Sequence, residues 1–347
     1  NACRRNRAHG THFGHIGHPS VAVVPAALAV AERAGAGGAD FLEACLVGAE
    51  LSIRVGEWLG RAHYQAGFHQ TATAGTFGAA AAAGRLLRLS PAAIAQALGL
   101  ASTRAAGLKS QFGTMGKPYH AGLAAAAGVE VALLAAAGFV SAPEGLEAAQ
   151  GFAATHAGQG DAAALDGLGR DWRFETVSHK FHACCHGTHA AIEALGQLGL
   201  DPGAVRAVEI ATHPRWLSVC NIAGPATGLE AKFSYRLTAA MALAGRDTAA
   251  MASFADAVCV DPVLVALRDA VTVVPDATLP ETAASVSVRT GEGLHRAEHD
   301  LAAPMAFDTR QAKLKEKAAA LLGSETAARL WVAVQGPDLD ALTAEMG

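Results

Sequence analysis

The side chains best suited to proton transfer and anion binding fall in a few short stretches of this 347-residue chain. The stretch "AHGTHFGHIGHPS" carries His9, His12, His15 and His18, each three residues from the next. On a helix this spacing would place four imidazoles on one face, as a metal site needs. Interrupting glycines and Pro19 instead predict a loop. A metal site, a solvated loop and a loop that presents imidazoles to an anionic small molecule all stay open.

A second stretch, "GRAHYQAGFHQTATAGTFG", places basic and phenolic side chains just before a predicted helix start rich in threonine. Backbone N–H groups at a helix N-terminus attract anions. The alternative is a surface loop in which Tyr64 and His69 act only as capping groups. The reactive residues of the stretch are Arg61, His63, Tyr64, His69, Thr71, Thr73 and Thr76.

In "LKSQFGTMGKPYHAGLAA", Lys117 lies between Gly116 and Pro118, which predicts a turn just before an apolar helix. Desolvation against that helix can lower the pKa of a lysine toward neutrality, so that it can act as a base. A lysine that stays charged can instead hold a carboxylate. A solvated turn lysine with no role in chemistry is the third interpretation.

The stretch "SHKFHACCHGTHAAIEA" gathers Lys180, Cys184 and Cys185 with three histidines, His182, His186 and His189. Adjacent cysteines rarely chelate one ion well, and the spacing fits no common zinc finger, so no metal is predicted. A cysteine nucleophile would need a base that the sequence does not locate.

The predicted all-helical part of the chain and the part that mixes strands with helices meet near this stretch. A junction between domains is a favoured place for a small-molecule site. A fourth stretch, "GLEAKFSYRLTAA", places Lys232, Ser234, Tyr235 and Arg236 at a helix start. The alternative for this stretch is an ordinary polar N-terminus.

The composition sets the class of protein that must position these residues. Hydrophobic residues make up 51% and aromatic residues only 5%, and the many small residues favour close helix packing. The formal net charge is −4, and acidic and basic residues are interspersed along the chain. This pattern argues against nucleic acid or an anionic membrane as partners. Six scattered cysteines without a CxxC motif indicate no disulfide framework, so a cytoplasmic location is expected. No signal peptide and no membrane span are predicted, because arginines break the apolar runs considered.

Hydrophobic periodicity predicts helix after helix up to about residue 155, and then a mixture of strands and helices. Strands are predicted in "AVRAVEIATHP", "AVTVVPD" and "ASVSVRTGEGLHRAEHD", the last with a hairpin turn at "TGEG". The fold class is therefore mainly α, with an all-helical bundle domain over 1–183 and a smaller α+β domain over 184–318. Residues 319–347 are predicted to be helical and to pack back on the first domain.

Several of these segments resemble the MmgE/PrpD family, which includes 2-methylcitrate dehydratase, cis-aconitate decarboxylase and iminodisuccinate epimerase. The resemblance covers nearly the whole chain and rests on "GFHQTATAGTFGAAAAAGRLLRLS", "ALGLASTRAAGL", "GTMGKPYHAGLAAAAGVEVALLAAAGF", "KFHACCHGTHAAIEAL" and "PATGLEAKFSYRLTAAMAL". It implies an α+β lid domain, a homodimer, and a cleft between the two domains that takes a small polycarboxylate. It also implies that no metal and no organic cofactor is needed.

The family's active-site positions match Thr11, His18, His69, Lys117, Lys180 and Tyr235. Tyr64 matches a tyrosine that, in the epimerase-like branch, is a proposed base opposite the lysine that matches Lys117. The resemblance therefore implies catalytic roles for Lys117, Tyr64 and His69. It implies substrate-binding roles for Thr11, His18, Lys180 and Tyr235, with His18, His69, Lys117 and Lys180 converging in the cleft.

Two departures from the family pattern bear on function. Family members usually have several helices before the point where this chain begins, so the chain is expected to be an N-terminally shortened copy or fragment. An acidic run of the kind Leu-Asp-Tyr-Asp-Asp usually separates the segments that match "AHG" and "THFGH". Here Thr11 follows Gly10 directly, and no aspartate appears before Asp40. One of the missing aspartates is an active-site residue in the family.

The chemistry common to the family is proton transfer at the carbon next to a carboxylate, which needs a placed base and groups that stabilise developing negative charge. A lyase or isomerase acting on a di- or tricarboxylate is therefore expected, with the epimerase-like branch favoured. A 2-methylcitrate dehydratase-like or cis-aconitate decarboxylase-like lyase is the first alternative. A catalytically degenerate homologue that binds a carboxylate without turnover is the second.

Overall fold

The computed structural model describes residues 10–112, 114–336 and 338–346. His9, the first of the four regularly spaced histidines, and Cys3 lie outside the described residues. The chain divides into two compact units. Unit 1 contains the described residues up to His179 and those from Arg329 onward, and unit 2 is Lys180–Ala328. Helices predominate and one small mixed sheet is present, so the expectation of a mainly α chain with a minor α+β part is confirmed.

Unit 1 is built mostly from helices. They are α1 Ser20–Ala34, α2 Gly38–Gln65, α3 Gln70–Leu86, α4 Pro91–Arg104, α5 Gly116–Ala136 and the single-turn α6 Phe152–Thr155. The stretch "PSVAVVPAALAVAERAGAG" predicts a helix that begins near Pro25, but α1 begins at Ser20, so the predicted start is wrong. Pro25 removes only one backbone donor, and burial of Val21, Val23 and Ala26 offsets that loss.

Unit 2 combines helices with a four-stranded sheet of order β2-β1-β3-β4. Its elements are α7 His189–Leu198, β1 Val205–Thr212, α8 Gly228–Ala231, α9 Tyr235–Leu243, α10 Pro262–Asp269, β2 Val271–Pro275, β3 Ala283–Thr290, β4 Leu294–Asp300 and α11 Phe307–Leu322. The boundary with unit 1 falls inside α12 Ser324–Gln335, and α13 Leu339–Met346 belongs to unit 1.

The three predicted strand segments are confirmed, and the last of them forms the β3–β4 hairpin. Strand β1 pairs in parallel with β2 and antiparallel with β3. The stretch "EAKFSYRLTAAMALAG" predicts a single helix, but the structure has two, α8 and α9, because Ser234 starts a new one. Its hydroxyl oxygen accepts a hydrogen bond from Leu237 N at 3.2 Å, which caps α9.

Helix α3 forms the centre of unit 1, since every one of its residues except Arg85 is buried. The helix is composed almost entirely of alanine, glycine and threonine, so neighbouring helices approach it closely. A Cβ atom added to Gly78 in α3 would lie 2.5 Å from the carbonyl oxygen of Gly48 in α2. On another side, a Cβ added to Gly128 in α5 would overlap Ala79. The backbones of α2, α3 and α5 therefore pack at distances that larger residues would not permit.

Helix α2 changes direction near its end because Gly60 has the left-handed φ of +73°. A break of this kind frees backbone carbonyls, which need other partners. The side-chain amide of Gln70 donates to the carbonyls of Gly56 at 2.9 Å and Gly60 at 3.2 Å. The N–H of Gln159 donates to Leu59 O at 2.9 Å. The chain can thus bend just before the segment that carries His63 and Tyr64.

A buried ion pair on α2 holds the segment that follows the helical core. The Nε of Arg54 donates to Glu50 Oε1 at 2.6 Å, and Arg54 is fully buried. Its guanidinium also donates to the carbonyls of Ala164, Asp166 and Asp171. Glu50 in turn accepts hydrogen bonds from the backbone N–H groups of Arg173 and Phe174. The pair therefore provides hydrogen-bond partners for the backbone of a loop that contains only turns and the short 3-10 helices Ala162–Leu165 and Arg173–Thr176.

Helix α5 is long and apolar enough, by length and composition alone, to cross a membrane. An 18-residue window in it has a mean hydropathy of 1.4, and 44% of that window is buried in the structure. The prediction that no segment spans a membrane rested on arginines in other apolar runs and did not consider α5, and it stays a prediction. Core helices of proteins that never enter a membrane pass the same test, and α5 packs on α3 in the manner of a core helix.

We expect Gly78→Ala to destabilise the protein, although alanine is the better helix former. Overpacking of a tight core costs about 1–3 kcal/mol, which exceeds the roughly 1 kcal/mol gained in helix propensity. Gly122→Ala in α5 is the matched control, because Gly122 is exposed and nothing lies within 4 Å of an added Cβ. Urea denaturation should show a lower free energy of unfolding for the first variant and an unchanged or higher one for the second. Equal stabilisation by both would contradict the close packing.

Arg54→Leu should lower the free energy of unfolding by about 3–5 kcal/mol, because it leaves the carboxylate of Glu50 buried without its charge partner. The control is Arg85→Leu, which removes a pair with Glu43 at 2.7 Å whose side chains are about half exposed. An exposed pair of this kind contributes about 0–1 kcal/mol. Thermal and urea denaturation of the two variants would measure the difference. Similar losses of unfolding free energy in both would show that the buried Arg54–Glu50 pair contributes no more than the exposed one.

Candidate functional site

The histidine-rich segment at residues 10–18 is a tight loop, as predicted, and not a helix. Thr11 exchanges backbone hydrogen bonds with Ser178, and His12 exchanges them with Gly17. Between these points Ile16 adopts a left-handed φ of +55°. This conformation is unfavourable for a β-branched residue, so the surrounding contacts must hold the loop in place.

Within this loop His18 is tied to the start of helix α3. Its Nδ1 lies 3.0 Å from the hydroxyl of Thr11 and 3.2 Å from the carbonyl oxygen of Gly10. Because a carbonyl can only accept, Nδ1 of His18 carries a proton. The backbone N–H of His18 donates to the hydroxyl of Thr71, in the first turn of α3, at 3.2 Å. Thr11 and His18, both predicted to bind substrate, therefore lie together beside the N-terminus of α3.

The side chains of His12 and His15, in the same loop, are buried in the interior of unit 1. The N–H of His15 donates to Nδ1 of His12 at 3.0 Å, and Nε2 of His12 lies 2.8 Å from the hydroxyl of Thr176. His15 is fully buried, and neither ring nitrogen has a hydrogen-bond partner among the described residues. A Cβ at Gly56 would overlap its ring, which shows how closely the imidazole is enclosed. Burial lowers the pKa of His12 to about 4 and that of His15 to about 3, so both are neutral near pH 7.

His69 immediately precedes α3 and is almost completely buried. Its Nδ1 lies 3.0 Å from Nδ1 of His120 in α5. The edge of one ring meets the face of the other between His69 and Phe112, with centroids 4.9 Å apart. The ammonium of Lys117 lies 4.5 Å from the centroid of the same Phe112 ring. Burial, followed by the charge of Lys117, lowers the pKa of His69 well below its usual value, and the same two causes lower the pKa of His120.

Lys117 lies in the first turn of α5, so the turn predicted around it is wrong. The helix begins at Gly116 because Pro118 fits the first turn, where no N–H is needed. This position puts His120 three residues further along the same helix and therefore next to Lys117. The sequence analysis did not identify His120, because residues three apart in a turn need not be neighbours. A helix predicted through "GKPYH" would have placed Lys117 and His120 on the same face.

Tyr64 is partnered by Lys109, which the sequence did not single out. The ammonium of Lys109 lies 4.0 Å from the centroid of the Tyr64 ring and donates to the Tyr64 carbonyl at 3.0 Å. Backbone pairing of Phe68 with Leu108 brings the two segments together. Two lysine–aromatic contacts, at Tyr64 and at Phe112, thus accompany the segment around His69.

His63, from the same stretch as Tyr64, has a structural role. Its Nδ1 donates to the carbonyl of His156 at 2.6 Å, and its Nε2 accepts from the hydroxyl of Thr73 at 2.9 Å. The ring is fully buried and stacks on Phe68 with centroids 4.5 Å apart. Both nitrogens are therefore engaged within the core.

The two remaining predicted residues, Lys180 and Tyr235, belong to unit 2. Tyr235 is completely buried, its hydroxyl donates to Gly187 O at 2.6 Å, and it lies 2.9 Å from the hydroxyl of Thr212. Burial raises its pKa well above the usual value, so the phenol stays protonated. The geometry within unit 2 gives Tyr235 a structural role, and the substrate contact predicted for it and for Lys180 stays a prediction.

Unit 2 holds a network of charged side chains near Lys180. Glu193 lies 3.3 Å from Nε2 of His182 and 2.8 Å from the ammonium of Lys313. Burial would raise the pKa of Glu193, but these hydrogen bonds more than offset it and lower the pKa to about 2. Lys317 is buried and donates to the carbonyl of Ala249 at 2.7 Å, and burial lowers its pKa to about 8.

Cys184 of "ACCHGTH" is not arranged for nucleophilic chemistry. Burial raises the pKa of Cys184 to about 11, and its sulfur lies 3.1 Å from the hydroxyl of Thr188. Among the described residues no group of three or more His, Cys, Asp or Glu side chains is placed to hold a metal ion. The absence of a bound metal from the functional protein stays a prediction.

Comparison with known proteins matches both parts of the chain. A family model described as the MmgE/PrpD N-terminal domain matches residues 8–164, and one described as the MmgE/PrpD C-terminal domain matches residues 182–338. The chain is 34% identical over 198 residues to the cis-aconitate decarboxylase-like protein oryM of Aspergillus oryzae, an alignment that covers 52% of this chain and 41% of that protein.

Two further relatives have the same kind of description. Identity is 33% over 196 residues with the cis-aconitate decarboxylase of Aspergillus terreus, covering 52% of this chain and 40% of that one. It is 36% over 145 residues with the cis-aconitate decarboxylase of Homo sapiens, covering 40% and 30%. The matched part of the chain thus spans less than half the length of these curated relatives.

The buried state of His15 predicts that the protein is sensitive to acid. The pKa of His15 is about 3 in the folded protein against 6.5 for the free side chain, so the unfolded chain binds the extra proton between these values. The contribution of neutral His15 to the free energy of unfolding is fully present above pH 6.5. It is lost as the pH falls through that window, by about 1.4 kcal/mol per pH unit for this one group. His15→Leu, which cannot be protonated, should move the midpoint of acid unfolding to lower pH.

Circular dichroism during acid titration would measure this shift. The variant should lose less stability than the wild type between pH 6.5 and pH 4, whatever its stability at pH 7. An unchanged or higher midpoint for His15→Leu would show that the imidazole is not held neutral by burial.

Proposed function

Because this chain belongs to the MmgE/PrpD family, we propose that it is a lyase acting on a small tricarboxylate, with decarboxylation of cis-aconitate as the favoured reaction. The observation that supports the proposal is that Thr11 and His18 are tied to Thr71 in the first turn of α3, which His69 immediately precedes. Lys117 lies over the ring of Phe112, and the same ring contacts His69. Decarboxylation is preferred to the epimerisation favoured from sequence, because the matched relatives are described as cis-aconitate decarboxylases.

The groups at this end of α3 suit a carboxylate. The neutral imidazole of His69 can donate a hydrogen bond to it, and Lys117 provides a cation close to His69. The N-terminus of α3 adds the partial positive charge of the helix dipole. A buried environment strengthens each of these interactions compared with water.

In this proposal Lys117 acts where charge develops. Breaking the bond between carbon and the departing carboxylate releases CO2 and leaves an electron pair on the carbon skeleton, next to another carboxylate. A cation and hydrogen-bond donors stabilise that charge, and a proton donor then delivers a proton to carbon. Lys117 supplies the cation and the proton, His69 donates a hydrogen bond, and Thr11 with His18 holds a second carboxylate.

The remaining expectations are proposals that depend on this one. Unit 2 would provide the lid domain, with Lys180 binding a substrate carboxylate and Tyr235 supporting that part of the site. Tyr64, with the charge of Lys109 over its ring, would line the same region as His69. A homodimer, a cytoplasmic location and independence from metal and organic cofactors belong to the same proposal.

The direct test is to incubate the protein with cis-aconitate in D2O and to follow both CO2 release and deuterium incorporation by NMR. Release of CO2 with deuterium placed on the product carbon supports the proposal. Exchange without CO2 release would favour the isomerase or dehydratase alternatives. Saturable binding with neither reaction would identify a carboxylate-binding homologue without turnover.

Lys117→Ala should lower kcat and kcat/KM together by about 10²–10⁴-fold, the range for loss of a general acid or base. Lys315→Ala is the control, since Lys315 is an exposed lysine in unit 2. Stability of both variants, measured by thermal denaturation, should stay close to that of the wild type. Wild-type rates in Lys117→Ala would remove Lys117 from the mechanism, and a raised KM with unchanged kcat would reduce it to a substrate anchor.

A further inference from the structure

The contact between His69 and His120 joins the same atom of two rings. Nδ1 of His69 lies 3.0 Å from Nδ1 of His120, and both residues are buried. A hydrogen bond between two such nitrogens holds a single proton, because one must donate and the other accept. In a neutral pair the donor ring then has a bare Nε2, and the acceptor ring carries its proton on Nε2.

The direction of this hydrogen bond therefore decides what His69 presents to a ligand. If His120 donates, Nε2 of His69 is an N–H donor. If His69 donates, its Nε2 is a lone pair that can act only as an acceptor or base. Nε2 of His69 makes no hydrogen bond within the described part of the chain, so this atom is available to a ligand.

The surroundings of His69 favour the first arrangement once the ligand is an anion. His69 sits at the N-terminus of α3, where the helix dipole disfavours an imidazolium, and Lys117 adds a positive charge nearby. A neutral imidazole held at a helix N-terminus can polarise a substrate oxygen by donating a hydrogen bond. A carboxylate can accept that hydrogen bond only from an N–H group.

We propose that His120 is a positioning residue that donates its Nδ1–H to His69 and so holds His69 as the Nε2–H tautomer, ready to donate to a substrate carboxylate. The inference rests on the proposed function for the identity of the substrate, but the tautomer itself is a property of the protein alone. His120 is suited to this role because it is buried on α5 and its ring packs beside that of His69, with centroids 5.2 Å apart.

The experiment compares three variants of His120 with the wild type. His120→Asn keeps an amide N–H close to the position of Nδ1 and can still donate. His120→Asp places an acceptor there, which should pull the proton of His69 onto Nδ1. His120→Leu removes the hydrogen bond. Protein with ¹⁵N-labelled histidine gives the tautomer of His69 by long-range ¹H–¹⁵N NMR, with the resonances assigned by their loss in His69→Gln.

The expected result is an Nε2–H tautomer for His69 in the wild type and in His120→Asn, a mixture in His120→Leu, and the Nδ1–H form in His120→Asp. With cis-aconitate as the probe, kcat/KM should fall by about 10–100-fold in the Leu and Asp variants, the range for loss of a partner that orients a histidine. His120→Asn should restore most of the rate, which a purely packing role would not predict.

Two results would overturn the inference: an Nδ1–H tautomer of His69 in the wild type, or a tautomer that is the same in all variants. If His120→Leu does not fold, the wild type and the Asn and Asp variants still decide the direction of the hydrogen bond. If the wild type does not turn over cis-aconitate while the tautomers follow the expected order, the proposed function fails and the positioning role stands.

Discussion

Helix α3 is enclosed by protein on every side except at Arg85, and this enclosure restricts which residues the rest of unit 1 can use. A helix with no solvent face must be small or apolar all round. Alanine and glycine meet that requirement, and they let the backbones of α2 and α5 approach at Gly48, Gly78 and Gly128. The N-terminus of α3 is thereby held within a packed environment, where a dipole and a few polar side chains interact more strongly than at a surface.

The same burial sets the protonation of the histidines around that end of the helix. His12, His15 and His69 all have lowered pKa values, with burial as the largest cause. Neutral imidazoles leave the positive charge of the region to lysines, which contact aromatic faces at Phe112 and Tyr64. An arrangement of neutral donors with a separate cation suits an anionic ligand, because a neutral imidazole can donate a hydrogen bond to a carboxylate and the lysine supplies the positive charge.

Unit 2 differs from unit 1 in the partners of its buried charged side chains. Glu193 is shared by His182 and Lys313, whereas Lys317 has a carbonyl oxygen as its hydrogen-bond acceptor and a pKa of about 8. Tyr235 is held by two hydrogen bonds inside the unit. The residues that the family resemblance marks therefore differ in their surroundings. Thr11, His18 and His69 lie at the start of α3, whereas Tyr235 is part of the core of unit 2.

Periodicity and composition were sufficient to predict the mainly helical chain and the three strand segments, because these depend on neighbours in sequence. Motifs also identified Thr11, His18, His69 and Lys117 as candidates. Tertiary structure alone decided that His12 and His15 turn inward, that Lys109 lies over Tyr64, and that His120 meets His69. Each of these outcomes depends on which segments pack together and how much water they exclude, and a one-dimensional pattern contains neither quantity.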